Sequence, residues 1–344
     1  MSETRKNRKH VALALQGGGA HGAFTWGVLD RMLEEDNIYV DAMCGTSAGA
    51  INAVVCAYGL HTGKRYKAKE LLEKLWLKLS NSGGFKASFI DKYWSNGDIY
   101  NSPSYMMFNA MSQYMSPYHF NPLNYNPLRG IMEDLVDFED LHHYKDKKIF
   151  ICATNVKTNR AKIFTNKEIT VDSVMASACL PMLFQAVEIN GEFYWDGGYM
   201  GNPPIFPLIT NTDVRDIVLI KINSINIKSV PTSARDITDR VNEISFNSSL
   251  INEMKLIHYR NELLRNGILK TDDKVNREIF IHTISGYDTL GQMHYSSKMN
   301  TSWDFLLQLK QKGRETADRW LNNEFELVGS KSTFDVEEHF FEKF

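Results

Sequence analysis

Residues 38–58 read IYVDAMCGTSAGAINAVVCAY. Ile38–Cys44 is an apolar run of strand length, Gly45-Thr46-Ser47-Ala48-Gly49 is a tight turn of small residues, and Ala50–Tyr58 is a small-residue stretch of helical character. The same order occurs just upstream. Val11–Leu15 reads as a short buried strand, Gly17-Gly18-Gly19 stops it, and Phe24, Val28 and Met32 then recur at helical spacing within Ala23–Leu33. Strand, glycine turn and helix, given twice, is the pattern of an α/β protein and predicts a parallel sheet.

The rest of the chain is consistent with a globular protein. Its 344 residues suggest roughly two domains or one large α/β domain with an extension. Apolar residues make up 43% and charged residues 23%, ordinary values that exclude a wholly disordered chain. Lys and Arg number 39 against 41 Asp and Glu, a net charge of −2, so nucleic acid is not expected as a principal partner. Cys44, Cys56, Cys152 and Cys179 form no CxxC pair and have no zinc-site spacing. They read as buried free thiols of a reducing compartment. Neither a signal-peptide core nor a membrane-spanning run is visible, so a cytoplasmic location is the default; export without a cleaved signal leaves the same sequence.

Residues 1–9 read as a flexible basic tail, 10–225 as the main domain, and 226–344 as an extension of unknown role. Within the main domain, 81–127 stands apart as an aromatic- and methionine-rich insertion, readable as a lid over an apolar site or as a satellite core. Lys64–Leu79 is a helix with Leu71, Leu72, Leu75, Trp76 and Leu79 on one face. Further helices are expected over Leu128–Leu135 and Val171–Ala178. Lys148–Thr154 and Ala161–Thr165 read as paired strands, and Asn190-Gly191 marks a hairpin leading to Asp196. Asp216–Ile222 and Ile279–Ile284 are strands. A long helix puts Val241, Ile244, Ser248, Ile251, Met254 and His258 on one side, and Thr301–Leu321 is a helix with Thr301 and Asp304 at capping-box spacing.

Three motifs carry chemistry. Gln16-Gly17-Gly18-Gly19-Ala20-His21-Gly22 opens a helix after a strand. Consecutive glycines let backbone N–H groups converge on an anion, as an oxyanion hole requires. Residues 17–22 also fit G-x-G-x-x-G, with Asp41 near the place of a ribose-binding acid, so a dinucleotide site on Gly17, Gly19 and Gly22 stands beside it. Gly45-Thr46-Ser47-Ala48-Gly49 fits G-x-S-x-G between a strand and a helix, the setting that exposes a nucleophilic serine; the structural alternative is a tight turn packing a helix on the sheet. Asp196-Gly197-Gly198 is by itself a common turn. A serine nucleophile needs a base. His258, His282, His294 and His339 follow Asp196, and none has a context that marks it as catalytic; His21 lies in the glycine loop but opens a helix.

GGGAHG at 17–22, GTSAG at 45–49 and DGG at 196–198, in that order, resemble the patatin-like phospholipases, as do ATN at 153–155 and ASACLP at 176–181. The resemblance covers about residues 10–210, and the C-terminal part resembles an extension found on some bacterial members. It implies a Ser–Asp dyad without histidine: Ser47 as nucleophile, Asp196 as general base, and N–H groups of Gly17, Gly18 and Gly19 as the oxyanion hole. Gly22, Gly45, Gly49, Gly197 and Gly198 would support these motifs. The reaction implied is acyl-ester hydrolysis of a lipid through an acyl-serine intermediate, with no metal or organic cofactor; peripheral membrane contact is expected if a bilayer lipid is the substrate. An ordinary Asp is ionised at pH 7 and could accept the serine proton without tuning. Many members carry Arg or Lys where this chain has His21, which bears on headgroup preference more than on acyl chemistry.

The fold expected is a three-layer α/β/α sandwich with a mainly parallel central sheet, plus an α-rich C-terminal segment on one flank. Ligands should sit at the carboxyl ends of the strands, where both glycine turns lie. Other readings keep the dyad and change the substrate, as in an intracellular polyhydroxyalkanoate depolymerase or an acyltransferase. The dinucleotide reading leaves Ser47 and Asp196 without a role, and a non-catalytic scaffold has no use for either.

Overall fold

The computed structural model describes residues 8–82, 115–227, 229–271, 276–291, 293 and 295–341. Its centre is an eight-stranded, mostly parallel sheet in the order β5-β6-β3-β2-β1-β7-β8, with β4 pairing β3. The strands are β1 (Lys9–Leu15), β2 (Ile38–Gly45), β3 (Lys148–Asn155), β4 (Arg160–Thr165), β5 (Val187–Ile189), β6 (Glu192–Asp196), β7 (Asp216–Lys221) and β8 (Phe280–Ser285). β1, β2, β3, β7 and β8 run parallel, while β4, β6 and β5 are joined antiparallel at one side. The hairpin turn falls at Asn190 and Gly191, both with positive φ, as a two-residue primed turn demands.

Alternation along β1 builds the two outer layers. Val11, Leu13 and Leu15 face one core, shared with α1 (Gly22–Met32), α2 (Ala48–Asn81), α3 (Pro127–Leu135), α4 (Val171–Ser177) and α7 (Trp303–Asn323). Ala12 and Ala14 face the other, closed by α5 (Phe206–Asn211) and α6 (Ala234–Arg265). α1 is buried nearly all round because α2 and α7 both pack on it. Gly27 and Gly313 permit that contact: a Cβ at Gly27 would lie 1.9 Å from the Lys310 carbonyl, and one at Gly313 2.1 Å from the Phe24 carbonyl.

The three-layer expectation is met, and residues beyond 225 are part of it: β8 extends the sheet beside β7, and α7 packs on α1. Several local expectations are not. The helices expected over 50–58 and 64–79 are joined into α2 across a kink at Gly63–Lys64. On α6 the buried face is Asn247, Leu250, Met254, Ile257 and Asn261, whereas Val241 and Ile244 are more than half exposed. The apolar stripe there was offset because polar Asn247 and Asn261 are buried as hydrogen-bonding members of the face. The Thr301–Asp304 capping box does not form; Ser302 is the N-cap of α7, and Thr301 Oγ1 is buried with no hydrogen-bond partner among the described residues. The lid expected of 81–127 falls mainly on residues 83–114, outside the described ones. Among the described residues no helix is long and apolar enough to cross a membrane.

Candidate active site

One strand measures out the site. β4 occupies one edge of β3 along Phe150–Asn155. β2 and β6 therefore share the opposite edge, β2 ending with Gly45 opposite Ile151 and β6 ending with Asp196 opposite Ala153. Those two positions are two residues apart on β3, about 7 Å at the usual strand rise. The turn after Gly45 thus brings Ser47 next to Asp196, although 149 positions separate them in the chain.

Ser47 sits at φ 53°, ψ −123°, a conformation that L-residues rarely adopt, immediately before α2. The two motif glycines make this elbow possible. A Cβ at Gly45 would lie 2.5 Å from the Gly49 backbone, and one at Gly49 2.1 Å from the Leu15 carbonyl. The elbow is anchored by Thr46 Oγ1 donating to the Gly201 carbonyl and by the Ser47 N–H donating to Ser177 Oγ at 3.0 Å. Ser177 ends α4, inside the ASACLP stretch.

Asp196 is fully buried. Its backbone N–H donates to the Cys179 carbonyl at 2.7 Å, and its carbonyl accepts from Thr154 Oγ1 at 2.8 Å. Oδ1 accepts the Gly198 N–H at 2.7 Å. Burial pushes the carboxyl from its ordinary 3.8 up to about 7; the Gly198 N–H and the Ser47 hydroxyl oppose the rise. The expectation of an untuned carboxylate therefore fails, because removing the group from water disfavours its charge. Among the described residues Oδ2 accepts no hydrogen bond, while the Ser47 hydroxyl lies near enough to the carboxyl to favour its charged form.

The glycine loop lies directly on the elbow: a Cβ at Gly17 would fall 2.5 Å from the Thr46 carbonyl and 2.9 Å from Ser47 Cβ. Gly17 itself is tied down. Its N–H donates to Asn202 Oδ1 at 2.7 Å, and its carbonyl accepts from Asn223 Nδ2 at 2.7 Å. Gln16 adds a second clamp, its Oε1 accepting from the N–H groups of Ile222 and Asn223, both at 2.8 Å. The Gly17 N–H is thus occupied, which removes it from the expected trio of oxyanion donors. The N–H groups of Gly18 and Gly19 have no acceptor among the described residues.

A cavity of about 240 Å³ opens above Ser47 and Asp196, with Leu180, Met182, Leu183, Phe246 and Met299 supplying an apolar wall. Among the described residues no histidine lines it; His294 lies outside them. His21 is buried beside the loop with Nε2 2.7 Å from Ser297 Oγ; burial, aided by nearby Lys298, lowers it to about 3, so its ring is neutral. His282 pairs with Asp216 at 2.9 Å at the start of β7, and His258 stacks near Phe341. Asp41 lies within β2 and holds His10 at 2.8 Å, five residues short of the turn, so the acid that a dinucleotide site requires is not at the glycine loop.

Sequence reasoning missed Asn202, Asn223 and Lys298, and named Gln16 at the head of the first motif without giving it a role. Asn223 had a usable signal, being a polar residue just past the carboxyl end of an apolar strand, where α/β sheets place ligand contacts. Lys298 had none.

A family model described as patatin-like phospholipase matches residues 13–209, more than half of the chain. Lysophospholipase NTE1 of Cryptococcus neoformans is 29% identical over 236 residues, which are 68% of this chain and 12% of that protein. A cGAMP-activated phospholipase of Escherichia coli is 27% identical over 229 residues, covering 60% of this chain and 56% of the other. The chain therefore spans about an eighth of the first relative and just over half of the second. Among solved structures, VipD from Legionella pneumophila is 15% identical with a TM-score of 0.41, covering 92% of this chain and 67% of VipD. The ExoU–SpcU complex of Pseudomonas aeruginosa contains a chain 16% identical with a TM-score of 0.38, covering 97% of this chain and 57% of that one.

Proposed function

The chain belongs to the patatin-like phospholipase family, and from that premise we propose that it is a lipid acyl hydrolase working through a Ser47–Asp196 dyad. Ser47 Oγ attacks the ester carbonyl while Asp196 takes the hydroxyl proton. The N–H groups of Gly18 and Gly19 stabilise the oxyanion of the tetrahedral intermediate. Collapse breaks the ester bond, Asp196 returns the proton to the leaving alkoxide, and acyl-Ser47 remains. Water, deprotonated by Asp196, then releases the fatty acid and regenerates the serine. A base near pH 7 is well matched to both transfers, since it can gain and lose a proton at little cost.

The observation that carries this reading is the meeting of a strained serine elbow, a buried carboxyl and two unoccupied loop N–H groups at the floor of an apolar cavity. Both curated relatives are named as phospholipases, which supports a phospholipid or lysophospholipid as the ester. The test is release of free fatty acid from phospholipid vesicles and from lysophospholipid. Wild type should release it; Ser47→Ala should not, while remaining folded by circular dichroism. Equal release by Ser47→Ala would refute the assignment.

A further inference from the structure

Behind the catalytic cavity lies a second, more polar chamber of about 610 Å³. The two share Asn223, Asp239, Glu243, Tyr295 and Lys298 as a common wall. Lys298 is the basic residue of that wall, and it comes from the C-terminal segment. The chain around it rests on the glycine loop: a Cβ at Gly19 would lie 2.4 Å from the Lys298 carbonyl.

The surroundings of the Lys298 ammonium are unusual. Its side chain is only 14% exposed. Its nearest carboxylate oxygen is Glu243 Oε1 at 3.9 Å, beyond hydrogen-bond reach, and it stands 4.4 Å above the centre of the Tyr295 ring. Among the described residues Nζ has no hydrogen-bond acceptor. Glu243 is itself engaged by Arg240 at 3.2 Å, and Arg240 also donates to the Ile225 carbonyl at 2.6 Å. The ammonium lines both cavities and is faced by the carboxylates of Glu243 and Asp239, neither of which hydrogen-bonds it, so its donors are open to an acceptor that enters from either side. Burial lowers Lys298 to about 8, and the nearby carboxylates of Glu243 and Asp239 oppose the fall. The glycine loop offers no competing cation, since His21 is neutral.

We propose that Lys298 receives the phosphate of the substrate headgroup in this polar chamber, so that the C-terminal segment selects phosphate-bearing esters over uncharged ones. The proposal rests on the hydrolase reading above. In a glycerophospholipid or lysophospholipid the phosphate lies a few bonds from the scissile carbonyl. The carbonyl would sit at Ser47 and the acyl chain against Leu183 and Phe246. The phosphate would then reach the shared wall, where its oxygens replace the acceptor that Glu243 fails to provide. The remainder of the headgroup has the polar chamber to occupy.

The experiment uses the full chain as wild type, Lys298→Met and Lys298→Arg. Turnover of lysophosphatidylglycerol is compared with that of a monoacylglycerol of the same acyl chain. Binding of inorganic phosphate and of glycerol 3-phosphate is measured by calorimetry, which needs no turnover. In Lys298→Met the ratio of kcat/KM for the phosphate ester to that for the neutral ester should fall roughly tenfold or more, carried mainly by KM, as expected for loss of a charge-assisted hydrogen bond. Lys298→Arg should recover most of the ratio. Glycerol 3-phosphate should bind wild type and not Lys298→Met; a response to inorganic phosphate alone would assign the site to free phosphate and overturn the headgroup role. Equal losses on both esters, or binding unaffected by Lys298→Met, would also overturn it. Failure of the hydrolase reading looks different: neither ester would be cleaved by wild type, while the binding result would still stand or fall alone.

Discussion

Asp196→Asn should disable the protein and stabilise it at once, with a pH dependence that follows from burial. The folded protein holds the Asp196 proton to about pH 7, whereas the unfolded chain releases it near 3.8. A group whose pKa is raised on folding favours the native state below its unfolded value, and that contribution is lost as pH rises through the folded one. Here the window runs from about pH 4 to about pH 7, and roughly three pKa units correspond to about 4 kcal/mol. Asparagine at this position carries no charge to desolvate. The variant should therefore unfold in urea with nearly wild-type stability at pH 4.5 and be more stable by up to about 4 kcal/mol at pH 8. Catalysis runs the other way, because only the ionised carboxylate accepts the Ser47 proton. Its ionised fraction rises from about one tenth at pH 6 to about nine tenths at pH 8, so kcat/KM for an uncharged ester should climb almost tenfold, followed by pH-stat titration. Asp196→Asn should lose at least about a thousandfold at every pH. A wild-type rate flat between pH 6 and 8, or a stability gain that does not grow with pH, would refute the reasoning.

Three further substitutions probe the scaffold. Gly27→Ala would drive a Cβ into the Lys310 carbonyl, forcing α1 and α7 apart, and should cost about 1–3 kcal/mol or more in urea unfolding. Gly130→Ala, in α3 with nothing within 4 Å of the added Cβ, should instead stabilise by about 0.5–1 kcal/mol in the same assay. Asn202→Ala strands the buried Gly17 N–H; it should cost about 1–3 kcal/mol of stability and about ten- to a hundredfold in kcat/KM, read with an uncharged ester.

The elements legible in the sequence were those in which a short apolar run meets a turn of obligatory chemistry. The β1 and β2 glycine turns and the Asn190–Gly191 hairpin were of that kind, because backbone geometry admits few other residues there. What stayed hidden depends on contacts distant in sequence. Nothing local to Asn202 shows that its amide holds Gly17 from 185 positions away. Val241 and Ile244 fit a helical stripe as well as Leu250 does, and only the packing of α6 on β1 and β7 decides which are covered. The Asp196 pKa could not be read from its motif, since DGG does not reveal that the carboxyl is fully enclosed. Lys298 sits in a stretch without pattern and matters only because the chain folds it onto the glycine loop.

The most direct test of the dyad is labelling with a fluorophosphonate probe followed by mass mapping of the modified peptide, on wild type, Ser47→Ala, Asp196→Asn and His258→Ala. The account predicts a single adduct on Ser47 in wild type and in His258→Ala, none in Ser47→Ala, and severely slowed labelling in Asp196→Asn. A folded wild type that labels elsewhere or not at all, or labelling that disappears with His258, would contradict it.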